Sequence, residues 1–317
     1  MKISVAIPAY NCAATIRETL DSVLRQTVQA DEILVLNDGS TDETLAILET
    51  YSPHITIISQ DNRGLGAARD VLCRHAQGDL IAFLDSDDIW HPRYLEIQCR
   101  LVEEIPNGIA YFTAHENFTG SGGYEWASDP VYEPANVELM QPAQFLERYC
   151  KNAGSFVCSN LCMPKQILAG LGDEPFKLRE GEDVHMFLGM AQFGQVVFLP
   201  KPFVAYRVRE GSMSSDLLRM AQGAVQAFEM TVDRYSNLAD GKLMRAYKRS
   251  FSSKRRFYAK ILLGLDRTGN ARDQLRRSLG NSGPLSLAKS LRLLALSYFP
   301  KALQPAWPSA HREWEKT

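Results

Sequence analysis

Four short apolar runs, each followed by a segment of helical periodicity, constrain the fold more than any other feature of this chain. They are KISVAIPAY from Lys2, EILVLND from Glu32, ITIIS from Ile55 and LIAFLD from Leu80. All four are nearly continuous in aliphatic residues rather than alternating with polar ones, the pattern of strands buried on both faces. Between them, residues 12–26 place Ile16, Leu20, Val23 and Leu24 on one helical face. A second helix is expected to start at Ser40, whose spacing to Glu43 is that of a capping box. GLGAARDVLCRHA predicts a third, and Tyr94, Ile97 and Leu101 after Pro92 predict a fourth. Strand and helix alternating in this way predict an α/β fold: a parallel sheet with helices on both faces, of a nucleotide-binding type.

The rhythm changes after residue 110. Residues 114–140 are rich in Gly, Ser, Asp and Pro and read as an excursion or lid. SFVCSNLCM and QVVFLPKPFVAYRV predict two more strands, with a helix from Asp183 to Phe193 between them. From Ser215 the pattern is helical, interrupted by GNSGPLS near residue 280. The expected division is therefore residues 1–110, 111–214 and 215–317.

A hydrophobic content of 45% with mixed charge describes a soluble globular protein, and no apolar run reaches the ~18 residues of a membrane span. The start of the chain enters a strand directly, so no signal peptide is expected and the cytoplasm is the expected location. Six cysteines without a CxxC pair fit a reducing compartment, with Cys158 and Cys162 as core residues rather than metal ligands. The net charge of −2 hides an asymmetry: residues 242–301 hold 15 Lys plus Arg against only Asp266 and Asp273. Regions of opposite sign usually meet different partners.

In open parallel sheets, ligands bind beyond the carboxyl ends of the strands. That rule selects Pro8-Ala9-Tyr10-Asn11 after the first strand, Asn37-Asp38-Gly39-Ser40 after the second and Asp85-Ser86-Asp87-Asp88 after the fourth. Carboxylates crowded into one crevice repel by several kcal/mol at reduced dielectric. A divalent cation removes that cost, and an oxygen-only donor set points to Mn2+ or Mg2+ rather than zinc. An isolated pair of aspartates would more often be a solvated turn; its place at a strand end opposite Asp38 favours the ligand reading. Gly64-Leu65-Gly66 is not a dinucleotide fingerprint, because it follows the third strand and has Arg69 where the last glycine belongs.

IPAYN, NDGSTD, NRGLGAAR and DSDD, in this order and spacing, resemble the inverting glycosyltransferases of family 2, which have the GT-A fold. The resemblance covers roughly residues 1–215. It implies that 1–110 form the nucleotide-binding half of a GT-A domain and 111–214 its acceptor-binding half. Pro8, Ala9 and Tyr10 would line the nucleobase pocket, and Asp38 would accept a hydrogen bond from the base. Arg69 would lie by the diphosphate, Asp85 would bind the ribose side, and Asn11 and Ser86 would complete the donor contacts. Asp87 would be the direct metal ligand. GEDVH at 181–185 matches the family's Glu-Asp motif, making Asp183 the general base for the acceptor hydroxyl and Glu182 the residue that orients it. The plain alternative is that both acids only stabilise a helix N-terminus, and His185 is expected to be structural. AYRVREGSMS matches the family's Tyr-Arg segment, but Arg209 stands where a histidine is common. A guanidinium cannot ligate a metal; Arg209, with Arg207, is expected to grip the departing diphosphate. Ser212 to Ser214 are expected on a loop that closes over the donor.

The expected activity is transfer of a sugar, of hexosyl or N-acetylhexosaminyl type, from a UDP-linked donor to an acceptor hydroxyl in polysaccharide or glycolipid synthesis. The alternatives are a nucleotidyltransferase, for which PAYN lacks the glycine- and basic-rich loop, and a non-catalytic nucleotide-sugar-binding protein. LMRAYKRSFSSKRRFYAKILLGL and LAKSLRLLALSYFPKAL join basic clusters to apolar residues. Region 242–301 therefore reads either as lying on an anionic membrane, at the inner face of the cytoplasmic membrane, or as a bundle packed on the catalytic domain. No nucleic-acid partner is expected.

Overall fold

The computed structural model describes residues 1–120, 123–151, 153–209, 216–235, 241–280 and 284–299. Strand β1 (Ile3–Ala9) is buried along its whole length between β2 (Glu32–Asp38) and β4 (Leu80–Phe83), parallel to both. β3 (Thr56–Gln60) continues the parallel set beyond β2. Burial on two faces explains why β1 carries Ile3, Val5, Ile7 and alanines but no charge. Each such aliphatic side chain taken from water contributes about 1.5–3 kcal/mol.

The connections are helices, as the apolar spacing predicts. α1 (Ile16–Leu24) buries Ile16, Leu20 and Val23 and leaves Leu24 partly covered. α2 (Thr44–Thr50) follows β2, α3 (Leu65–His75) follows β3, and α4 (Tyr94–Glu104) follows β4 and the two-residue strand β5 (Ile89–Trp90). The capping box expected from Ser40 does not form. Ser40 Oγ accepts the Asn11 N–H at 3.1 Å instead, and Asp42 Oδ1 accepts the Thr44 N–H at 3.0 Å, so the helix begins later.

Past β4 the sheet is mixed, with both parallel and antiparallel pairs. β6 (Ala110–Phe118) was not expected, and β7 (Glu138–Met140), β8 (Leu161–Pro164) and β9 (Val196–Arg207) join it. Among the described residues the order is β3-β2-β1-β4-β8-β6-β9-β5, with β7 also on β9. β8 runs antiparallel to both β4 and β6, and the chain reaches it from β6 by way of β7 and α5 (Pro142–Lys151). Within SFVCSNLCM only the last part is strand; Cys158–Asn160 is a 3-10 turn, and Cys158 and Cys162 are buried. α6 (Lys165–Leu171) follows.

The chain divides into two compact units, Met1–Arg179 with Gly189–Arg209 and Glu180–Leu188 with Glu210–Thr317. α7 (Glu182–Met190) starts within the second. There α8 (Leu217–Tyr235), α9 (Gly241–Gly264), α10 (Thr268–Leu279) and α11 (Pro284–Leu296) make a helical array. α9 buries Leu243, Tyr247, Phe251 and Leu262, with Phe251 stacked on Phe228 at 5.7 Å. Among the described residues no helix is long and apolar enough to cross a membrane.

Candidate active site

The parallel strands β1, β2 and β4 open their carboxyl ends at one sheet edge, so the loops that follow them are neighbours. Asn11, at a φ of 45°, ties two of these loops together. Its N–H donates to Ser40 Oγ, and its Oδ1 accepts the Thr41 N–H at 2.8 Å. Pro8 and Ala9 are buried in β1, whereas Tyr10 is half exposed just beyond it. Gly39 has a φ of +69°, and a Cβ there would come within 2.7 Å of Asn62 N, so only glycine lets the β2 and β3 loops approach this closely.

Asp38 is buried, and its carboxylate binds the loop after β3. Oδ1 accepts from Gln60 Nε2 at 2.7 Å and from Arg63 N at 2.9 Å, and Oδ2 accepts from Gly64 N at 2.8 Å. The carboxylate thus holds the entry to α3 in place, satisfying donors that precede that helix. Its carboxylate oxygens are thus engaged by this loop.

Asp85, Asp87 and Asp88 also diverge, each to its own partner. Asp85 Oδ1 accepts from Arg69 Nη2 at 2.5 Å, and Arg69 is a buried residue of α3 whose guanidinium lies 5.6 Å from the Phe176 ring centroid. Asp87 Oδ2 accepts from Arg209 Nη2 at 2.6 Å. Asp88 points inward and is fully buried; it accepts from the Arg207 N–H at 2.9 Å and from Ser159 Oγ at 2.5 Å. Ser159 Oγ also accepts the Asp85 N–H at 3.1 Å, so one hydroxyl clamps both ends of the turn. Ser86 is held through its carbonyl, which accepts from Thr15 Oγ1 at 2.8 Å. Burial, then the Asp85 charge, raises the pKa of Asp87, while Arg209 pulls it down. Burial, with the Asp87 and Asp85 charges behind it, pushes Asp88 well above the usual carboxylate range.

Arg207 is placed differently from its sequence expectation. Only 4% exposed, it donates Nε to Asp87 O at 2.8 Å and its other nitrogens to Gly120 O and Glu18, with the guanidinium 4.4 Å from the Phe118 ring centroid. It braces the acidic turn from behind instead of presenting a guanidinium for phosphate. Arg209 is the exposed one, with 47% of its side chain accessible. Glu18 and Ser159, which complete this bracing, escaped the sequence reading. They lie 189 and 71 residues from their partners Arg207 and Asp88, and no local pattern marks them.

In the second unit, Glu182 and Asp183 form the first turn of α7. Glu182 is buried and Asp183 half buried, with Asp183 Oδ1 accepting the Val184 N–H at 2.7 Å. Gly181, at a φ of +72°, sets this turn against α8: a Cβ on it would lie 2.8 Å from Gly223 C. His185 is buried, its Nδ1 3.5 Å from Thr231 Oγ1, in keeping with a structural part. Ser212 to Ser214 lie outside the described residues.

Among the described residues no three His, Cys, Asp or Glu side chains are grouped as a metal cage. The donor set still fits a hard divalent ion that takes one or two carboxylates and completes its shell with phosphate and water. Asp87, partly exposed and feeling the Asp85 charge, is the residue that would hold it.

A model of "Glycosyl transferase family 2" matches residues 4–166. Glycosyltransferase GlyA of Streptococcus pneumoniae is 31% identical over 67% of this chain and 31% of its own length. A chondroitin synthase of Pasteurella multocida is 35% identical over 67% of this chain and 21% of its own. The chain thus spans about a third or less of these curated relatives. S. aureus TarS 1-349, solved with UDP-GlcNAc, superposes with a TM-score of 0.68 at 19% identity, covering 94% of this chain and 89% of that one. The mannosyltransferase PcManGT of Pyrobaculum calidifontis, solved with GDP-Man and Mn2+, gives 0.58 at 18% identity, covering 94% and 81%. These likenesses bear out the expected GT-A type of fold with C-terminal helices.

Proposed function

The chain belongs to glycosyl transferase family 2, and from that premise we propose that it is an inverting transferase moving a sugar from a UDP-linked donor to an acceptor hydroxyl. The observation that carries this reading is the pairing of two strand-end aspartates with two arginines, Asp85 with Arg69 and Asp87 with Arg209. Such a balanced set can exchange its internal ion pairs for a diphosphate and its counter-ion. The UDP-GlcNAc of TarS and the GDP-Man and Mn2+ of PcManGT support a sugar nucleotide and a divalent metal. The chondroitin and hyaluronan synthases among the relatives support a saccharide or lipid-linked saccharide acceptor in polysaccharide synthesis. A place at the inner face of the cytoplasmic membrane belongs to the same reading.

In this scheme the loops of Pro8–Asn11 and Asp38–Ser40 take the nucleoside, and residues 111–214 the acceptor. Asp87 would hold a Mn2+ or Mg2+ ion, which when bound would supply charge neutralisation for the leaving diphosphate. Arg209 turns from Asp87 to the phosphate oxygens, while Arg69 keeps Asp85 in place. Asp183 accepts the acceptor proton as the acceptor oxygen bonds to the anomeric carbon, and the bond to the diphosphate breaks with its electron pair leaving on the phosphate oxygen. Glu182 orients the base or the acceptor.

Nucleotide release from UDP-sugars in the presence of candidate acceptors tests this. Asp183→Asn should lower kcat by ~10²–10⁴ while keeping donor affinity. Full turnover in Asp183→Asn would remove the base; release of no nucleoside diphosphate by the wild type would remove the activity.

A further inference from the structure

α11 is only partly covered by the helical array. Its buried positions are serines: Ser290 is fully covered, and Ser297, just past the helix, is nearly so. Ser290 Oγ lies 2.8 Å from Ser278 Oγ of α10 and accepts from Arg256 Nη1 of α9 at 3.2 Å. The same nitrogen donates to Ser286 Oγ at 2.6 Å, and Arg272 donates to Ser297 O at 2.7 Å. Leu293 and Leu294 pack on the core formed by α9 and α10, whereas the leucines nearer the start of the helix face solvent. Leu285 is 82% exposed, Leu291 48% and Leu287 37%, and Tyr298 and Phe299 beyond the helix are exposed as well. Leu287 and Leu291 are one turn apart, so they share a face. A helix bounded by water turns its leucines to the core; α11 leaves Leu285, Leu287 and Leu291 in solvent.

The charges say what covers that face. α11 carries Lys289 and Arg292, both exposed, and no acidic residue. The two acids of the 242–301 region lie on other elements, and Asp273 is paired with Arg277 at 2.9 Å. A second copy of this chain would set one basic helix against another, a repulsive contact, whereas an anionic lipid surface complements both the charge and the leucines. At 13 residues the helix is too short to span a bilayer, so it would lie along one. The two basic stretches thus differ in use. Most apolar residues of α9 fill the helical core, Phe257 being exposed, so the larger exposed apolar set is that of α11.

We propose that α11 docks into the interface of an anionic bilayer, Leu287 and Leu291 in the acyl boundary and Lys289 and Arg292 among the headgroups. The proposal deepens the membrane location in the function reading but uses no residue of the donor site, so vesicle binding and nucleotide release fail separately. The full chain should float with vesicles of phosphatidylcholine plus phosphatidylglycerol at low salt, and far less with phosphatidylcholine alone. Leu287→Glu with Leu291→Glu should lower the partition by ~tenfold or more, with circular dichroism and Tm unchanged because both side chains already face outward. Lys289→Ala with Arg292→Ala should lower only the anionic preference. Failure of the wild type to float with anionic vesicles overturns the proposal, as does unchanged flotation of the double-Leu variant. Loss of self-association in that variant, with no effect on vesicles, would assign the face to a second copy and overturn it too.

Discussion

Arg209 Nη2 stands 2.6 Å from Asp87 Oδ2, so the carboxylate assigned to the metal is capped by a guanidinium. A divalent ion and Arg209 compete for one oxygen. The pair is about half exposed on the arginine side, and such pairs are worth roughly 1 kcal/mol or less. Arg209→Ala should therefore tighten Mn2+ binding in the absence of nucleotide by only a few-fold, read by electron paramagnetic resonance titration. If Arg209 moves to the leaving diphosphate, the same variant should lose ~10²–10³ in kcat. Weaker Mn2+ binding with unchanged kcat would reverse both roles.

Asp38 holds three donors around the entry to α3. Asp38→Ala leaves the Arg63 and Gly64 N–H groups without their carboxylate, and hydrogen bonds to charged groups contribute about 1.5–3 kcal/mol each. Urea unfolding should show a loss of roughly 2–4 kcal/mol, with Asp38→Asn losing less. A loss below 0.5 kcal/mol, within the range of ordinary surface substitutions, would mean that the loop is held by other contacts.

Asp70 gives the fold a pH dependence. Burial pushes its carboxyl up to about 7, against the Phe176 N–H that stabilises the charge at 2.9 Å. It lines a cleft with Arg63, Arg74, Lys177 and Glu174. The folded state binds the proton more tightly than the unfolded chain, so stability is unpenalised below the unfolded value near 3.8 and falls as pH rises towards about 7. The slope from this one group is at most about 1.4 kcal/mol per pH unit. Asp70→Asn keeps an acceptor for Phe176 N and should flatten the decline, leaving the variant more stable than the wild type at pH 8. Parallel pH profiles for the two proteins would show that Asp70 titrates normally.

Much of this was legible locally. The continuous runs of β1, β2, β3 and β4 announce buried strands, and the polar residues after each mark the ligand edge. β6 was missed because its outer half, Ala114 to Phe118, mixes His, Glu and Asn into a strand that leaves the core. Ser40 has the spacing of a helix cap, but its hydroxyl serves Asn11 across the sheet edge. Arg207 and Arg209 look equivalent in sequence, yet Glu18 and Phe118 bury one and leave the other to solvent. Which face of α11 is buried depends on partners in α9 and α10, which take Ser290 as well as Leu293 and Leu294.

Calorimetric titration of UDP-GlcNAc, with and without Mn2+, into the wild type and Asp87→Ala is the most direct test of a diphosphate held at the end of β4. The wild type should bind roughly tenfold or more tightly with Mn2+, and Asp87→Ala should lose that increment while keeping its metal-free affinity. Wild-type binding indifferent to Mn2+, or an undiminished increment in Asp87→Ala, would contradict the assignment.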